Sequence, residues 1–229
     1  MRNTLVGTPT NVSEPAFEYL LSSMLHWVEQ ECERQHEKQQ TNNKETQAKT
    51  QENKNQNKLS NSETGENKQN EITQIEGERM VMIAENAAAK MERMGYDVGY
   101  RLSERLAQSK SMTPVTQHSK KPTPAMVQLE AVKFICKEFW TETFQKQIDK
   151  LQTNHRGVFV LKDLQFKWLK RLPGDIELAR IMAIKILAFP CGLIRGALAN
   201  LGIIAVVSCD FLADGKNMSA CSFNIKVKV

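Results

Sequence analysis

Few residues in this sequence belong to the types that carry out chemistry. Asn154 and His155 are adjacent, and Cys191 is the thiol that would complete a Cys-His-Asn hydrolase with them. No cysteine sits in a glycine-flanked nucleophile motif, and His155 falls where a helix is expected to end, so a turn-holding role explains it equally well. The five cysteines (Cys32, Cys136, Cys191, Cys209, Cys221) form no CxxC pair. With His26, His36, His118 and His155 scattered, no metal-ligand spacing arises, so no metal and no cofactor is expected. All five read as buried free thiols. Arg195 interrupts an apolar run and must either pair internally or emerge at a partner surface. Lys162, Lys167, Lys170 and Arg171 form a basic cluster that could face water, a neighbouring protein or an anionic membrane.

The elements that would hold these residues follow from composition and period. The chain has 229 residues, 41% of them hydrophobic, slightly below the usual range of about 45–50%. The deficit is local. Residues 36–71 contain Ala48 and Leu59 as their only aliphatics, with six Lys balancing six Glu. Such a tract cannot bury enough surface to offset its ordering entropy and reads as a disordered insert. The net charge of +5 therefore belongs to the remainder, too mild a bias to indicate nucleic acid. Residues 1–12 read as a flexible N-terminus without a signal-peptide core, and residues 13–229 as one domain interrupted by the insert. The window 186–204 holds Arg195, Asn200, Pro190 and three glycines, a poor composition for a membrane span. A cytoplasmic protein is the expectation.

Phe17, Leu20, Leu21, Met24 and Val28 recur at three and four, one face of a helix that Ser13 can cap. A long helix resumes near Gly77 with Met80, Ala84, Ala87, Met91, Met94, Val98, Leu102 and Leu106 in its stripe. Gly95 and Gly99, four apart on that side, each cost about 1 kcal/mol relative to alanine and so suggest that another backbone approaches closely. A third helix is expected from Pro124 to around Thr153–Gly157. Val158–Leu161 and Phe166–Leu169 read as a hairpin, Ile176–Leu187 and Gly192–Leu201 as two helices separated at Pro190. Ile203–Leu212 and the strictly alternating Cys221–Val229 read as strands joined at Asp214-Gly215. The predicted class is α+β: four to five helices packed on a small twisted antiparallel sheet of about four strands.

Several of these runs are similar to a known family. Lys133-Phe134-Ile135-Cys136-Lys137-Glu138-Phe139-Trp140, Phe144, Lys146-Gln147-Ile148-Asp149 and Thr153-Asn154-His155-Arg156-Gly157 closely resemble the subunit-six type of the transport protein particle (TRAPP) small subunits. Cys191-Gly192-Leu193-Ile194-Arg195-Gly196 and Asn200-Leu201-Gly202 continue the likeness, and Met94-Gly95-Tyr96-Asp97-Val98-Gly99 fits the broader family. The resemblance implies a non-enzymatic core subunit that heterodimerises with a related small subunit. It implies a place in a complex that tethers vesicles and exchanges guanine nucleotide on Rab-type GTPases. It also implies peripheral association, through that complex, with endoplasmic reticulum, cis-Golgi and Golgi membranes. Family pairing uses the first two helices, which carries over to Phe17, Leu20, Leu21, Met24, Met91, Met94, Gly95, Val98, Gly99 and Leu102 as partner-binding residues. The alternative it implies is a small-molecule or acyl-chain sensor, since relatives of the fold include ligand-binding domains.

Overall fold

A computed structural model describes residues 14–51, 65–109, 123–154, 156–212 and 217–228, with backbone alone for 14–18, 40, 42–51, 65–76 and 109. The reading of residues 1–12, the turn at Asp214-Gly215 and the role of His155 lie outside these residues. Helix α1 (Glu14–Gln51) is followed by α2 (Gly65–Ser109) and α3 (Pro124–Phe134). A single π turn (Ile135–Phe139) then carries α3 into α4 (Trp140–Phe144) as one continuous rod. Strands β1 (Lys150–Thr153) and β2 (Val158–Asp163) precede a 3₁₀ turn (Lys167–Leu169), and α5 (Ile176–Asn200) leads to β3 (Ala205–Phe211) and β4 (Cys221–Val227). Among the described residues, four helical rods and one four-stranded sheet, all antiparallel in the order β1-β2-β4-β3, match the predicted class.

The inner face of the sheet is set by strict alternation. Phe159 and Leu161 of β2 and Phe223 and Ile225 of β4 bury their side chains against Val132, Ile135 and Phe139 of the α3 rod and Leu193, Ile194 and Leu198 of α5. Trp140 sits at the centre of this core, 5.3 Å from Phe223 and 4.3 Å from Phe144 between ring centroids. The π turn frees a carbonyl from the helical ladder. Ile148 N–H donates to the Cys136 carbonyl oxygen (3.0 Å), which fastens the segment after the rod back onto it.

Four expectations require correction. The third helix stops at Phe144, where Gln145 takes a left-handed conformation (φ 58°) and ends it, so residues 150–153 become β1 instead of a continuation of the helix. The hairpin is β1–β2, paired Lys150↔Lys162 to Thr153↔Phe159, and Phe166–Leu169 is not its second strand. Phe166 and Leu169 point into the core from a 3₁₀ turn, drawn there by aromatic contacts to Trp140, Phe144 and Phe223. Pro190 does not divide two helices. It lies inside the 25-residue α5, where burial on several sides outweighs the roughly 3 kcal/mol that an interior proline costs. α5 is long and apolar enough to cross a membrane, yet most of that apolar window is buried within the protein. Finally, α1 runs on to Gln51 and α2 begins at Gly65, inside the tract read as disordered from His36 to Glu71. Gln, Glu, Lys and Ala have high intrinsic helix propensity and can extend a helix nucleated elsewhere without burying anything. Residues 52–64 of that tract are not described.

Candidate partner-binding face

α2 crosses α5 backbone to backbone, and the crossing is built from four glycines. A Cβ placed on Gly95 would overlap the Phe189 carbonyl oxygen, and one on Gly99 the Leu193 carbonyl oxygen. From the other side, a Cβ on Gly192 would overlap the Glu92 carbonyl oxygen and one on Gly196 that of Tyr96. The two glycine pairs interlock, so the backbones touch directly. Arg195 closes this seam: its Nε lies 3.1 Å from Glu92 Oε1 and its guanidinium sits 4.9 Å from the Tyr96 ring centroid. The geometry of the Glu92 pair misses that of a hydrogen bond, so the contact is electrostatic. Arg195 is thus an internal anchor between α5 and α2.

This overturns the assignment of Gly95 and Gly99 to a partner. The close approach that two glycines imply is real, but the second backbone belongs to the same chain. Leu21 and Met91 are likewise internal, buried with Val28, Cys32 and Ala87 where α1 crosses α2 and α5. Met24 and Met94 are half-buried at the margin of that cluster, and Leu102 is half-buried against the main core. Leu20 is 64% exposed and Val98 48% exposed, so these two face outward. The Phe17 side chain lies outside the described residues.

The outward surface has more to it than the sequence stripe indicated. Trp27 is 55% exposed, and Tyr19 and Tyr100 are exposed too. Leu20, Met24 and Trp27 stand at i, i+4 and i+7, which aligns them on one side of α1. On α2, Met94 and Val98 repeat the same spacing. The signal for Trp27 was present in that seven-residue interval, and it was missed because the inner stripe through Leu21 and Val28 has the same period. Polar links hold α1 in place: Lys90 Nζ donates to Gln35 Oε1 (3.1 Å), and Lys185 Nζ to Glu29. Beside α1 lies an open groove of about 500 Å³ lined by Tyr19, Leu21, Leu25, Trp168, Met182 and Ile186, among others.

A second polar constellation braces the sheet. Asp163 is fully buried at the end of β2. Its Oδ2 accepts from Trp140 Nε1 (3.1 Å), and its Oδ1 accepts from Lys146 Nζ (2.6 Å) and the Gln165 backbone N–H (3.0 Å). Lys146 also donates to Asp149 Oδ2 (3.1 Å), which accepts the Leu164 N–H (2.7 Å). Burial lowers the Lys146 pKa, but the hydrogen bonds and charges of Asp163 and Asp149 outweigh it and raise the group above its ordinary value. Every oxygen of the buried carboxylate is satisfied, as a buried charge requires. The network is structural.

Cys136 and Cys191 are not poised as nucleophiles. Burial pushes Cys136 up to about 12, against a smaller opposing effect of Lys137. The Cys191 thiol is raised far above its usual range by its hydrogen bond to Cys209 and by burial, so it stays protonated at neutral pH. Asn154 Oδ1 accepts the Arg156 N–H (2.9 Å) and the Val158 N–H (3.2 Å), holding the β1–β2 turn. Among the described residues no group of His, Cys, Asp and Glu is placed to hold a metal.

Residues 17–228 match the family model described as transport protein particle (TRAPP) component. The chain belongs to this family. It is 42% identical over 139 residues to the human "Trafficking protein particle complex subunit 6B", covering 61% of this chain and 77% of that protein. It is 40% identical over 141 residues to "Trafficking protein particle complex subunit 6b" of Danio rerio (61% and 78%), and 35% identical over 138 residues to "Trafficking protein particle complex subunit 6A" of Bos taurus (60% and 76%). Among solved structures it is similar to a trafficking protein particle complex subunit 3 from Naegleria fowleri, covalently bound to palmitic acid, with a TM-score of 0.48, 15% identity and coverage of 64% of this chain and 82% of that one. The subunit-six type read from the sequence therefore holds.

Proposed function

We propose that this TRAPP subunit acts as a structural, non-catalytic member of its complex and pairs with a related small subunit through the outward residues of α1 and α2. The observation that carries the reading is the stripe Leu20, Met24 and Trp27, joined by Val98 and Tyr100, which leaves large apolar side chains in water beside a helix pair whose own packing is already complete. An exposed tryptophan within such a stripe is the kind of residue that dominates interface energy. Membership of the family supports association with other TRAPP subunits. Through them the chain would contribute to vesicle tethering and Rab nucleotide exchange between endoplasmic reticulum and Golgi, on the cytoplasmic side and without a membrane span of its own. The protonated, buried state of Cys136 and Cys191 supports a role without catalysis.

The test is co-purification of the full chain with its small-subunit partner, comparing wild type with the double substitution Leu20→Asp, Trp27→Asp. A folded variant that no longer pairs is the expected result. A folded variant that pairs with unchanged affinity would remove α1 from the interface.

A further inference from the structure

The two edges of the sheet are treated differently by the sequence. β1, at one end, has four residues and presents Lys150 and Gln152 to solvent. Short length and an outward lysine are standard protection against unwanted strand pairing. β3, at the other end, is seven residues long, contains no proline, and keeps regular register with β4 from Ala205↔Val227 to Phe211↔Cys221 without a bulge. Among the described residues no strand lies beyond it.

The hydrogen-bond phase of this edge follows from its two ends. Lys228 N–H donates to the Ile204 carbonyl (2.8 Å), and Leu212 N–H donates to that of Ala220 (2.9 Å). In an antiparallel ladder, residues two apart share the same direction. Ile204, Val206, Ser208, Asp210 and Leu212 therefore turn their main-chain groups toward β4. Ala205, Val207, Cys209 and Phe211 turn theirs outward, where the described residues provide no acceptor or donor. Cys209 and Phe211 are only partly buried on the inner face, because nothing described flanks them past the edge. On the outer face Ile204 is 68% exposed and Val206 49% exposed. Water-exposed β-branched residues beside unpaired main chain are what an unguarded edge presents.

Charge selects the occupant. Lys226 is paired across from Val206, and Lys228 lies opposite Ile204. The acid on the outer face of β3 is Asp210, already taken by Asn224 Nδ2 (2.6 Å) and Ser222 Oγ (3.4 Å). A second copy of β3 would bring further apolar residues and no free carboxylate.

We propose that the outer edge of β3 is a docking site for an extended segment of another subunit, added as a fifth, hydrogen-bonded strand. That strand carries apolar residues beside Ile204 and Val206 and a carboxylate directed at Lys226 and Lys228. Main-chain bonds to Ala205, Val207, Cys209 and Phe211 supply affinity, and the lysines supply choice of partner.

Amide hydrogen exchange, resolved to single residues, tests this with the full chain alone and with the same chain in the purified TRAPP assembly. The expected result is alternation: the Val207 and Cys209 amides slow at least tenfold on assembly, whereas Val206 and Ser208, already bonded to β4, change little. Uniform slowing along β3, or none, would overturn the proposal, since face docking gives no two-residue period. So would the same protection in the chain alone together with a doubled native mass, which would make the occupant a second copy. The double substitution Ile204→Lys, Val206→Lys provides an independent arm. It should keep the small-subunit partner held by α1 and α2 while one further subunit is lost from the assembly. Loss of nothing would overturn the edge site, whereas failure of the α1 face would show separately as pairing that survives Leu20→Asp, Trp27→Asp.

Discussion

Gly99 and Val98 are neighbours in sequence and opposites in structure. Gly99 meets the Leu193 backbone with no room for a methyl group, while Val98 stands nearly half in water. The same contrast separates the whole α2–α5 seam from the outward side of α1 and α2. The seam brings backbone to backbone and admits no side chain at four positions, whereas the outward side presents Leu20, Trp27 and Val98 with no internal partner. One surface of α2 is closed by its own chain, and the other is open. The difference teaches that an apolar helical stripe does not by itself say which molecule will cover it.

The sharpest way to break this comparison is substitution at the seam. Gly99→Leu is expected to unfold the protein or to lower its stability by more than about 3 kcal/mol, because overpacking here displaces a backbone and not a flexible side-chain tip. Circular dichroism with thermal unfolding reads the outcome. A cooperative transition at wild-type temperature would mean that α2 and α5 can separate freely, and the closed-seam account would be wrong. Val98→Ala, one residue away, should leave the melting temperature within about 2 °C.

A comparable effect is expected at the buried carboxylate. Asp163→Ala would leave the buried Trp140 Nε1 and the Gln165 N–H without their acceptor, and Lys146 Nζ with Asp149 alone. Removing one partner of a buried charge pair costs about 3–5 kcal/mol. The loss should appear as a lower midpoint in urea with an unchanged slope. The same pair carries a pH signature. Lys146 is raised above its ordinary 10.5 in the folded protein, so its contribution is fully present below about 10.4, the unfolded value, and disappears as pH rises through the higher folded value. The stability gap between wild type and Lys146→Gln should accordingly stay constant from pH 6 to 9 and narrow above about 10.5. A gap that narrows on acidification in that window would contradict the assignment.

How much of this was legible in the sequence depends on the range of the cause. The final strand was readable because its alternation is a local period, and Asn224 and Lys226 needed no other part of the chain to face outward, while Ser222, of the same phase, is buried beside Asp210. The 3₁₀ turn at Lys167–Leu169 was not, since Phe166-Lys167-Trp168-Leu169 is as rich in aromatic and apolar residues as a short strand; only the aromatic cluster around Trp140 decides its shape. Pro190 inside α5 is a tertiary override of a local breaker. The glycines lie between these cases. Gly95 and Gly99 correctly implied a close backbone, and the identity of that backbone was available in Gly192 and Gly196, a second pair at the same four-residue spacing. Matching the two pairs would have assigned the seam to the chain itself.

On the open side, the expected effect moves from stability to association. Leu20→Asp with Trp27→Asp should leave unfolding unchanged, because both side chains are already more than half exposed. Pairing with the small-subunit partner should weaken at least tenfold, about 1.4 kcal/mol or more. Isothermal titration and native mass measurement separate this from misfolding. A variant that loses stability as well would show that α1 is part of the closed region, and the contrast with the seam would dissolve.

The smallest effect is expected where neither kind of surface exists. Residues 52–64 contain Leu59 as their one aliphatic residue, so they have nothing to bury in a seam and nothing to offer a partner. Joining the helices through a different connection changes chain-closure entropy only logarithmically, about 0.6 kcal/mol for each doubling of length. Replacing residues 52–64 by a Gly/Ser linker of half that length should therefore leave the melting temperature within a few degrees and the pairing affinity unchanged. The comparison predicts this because both regions that matter are complete without the segment: the seam by Gly95, Gly99, Gly192 and Gly196, the outward face by Leu20, Trp27 and Val98. A fall of ten degrees or more would require buried contacts from a stretch that has almost no side chain able to make them, and the boundary of the folded domain would have to be redrawn to include it.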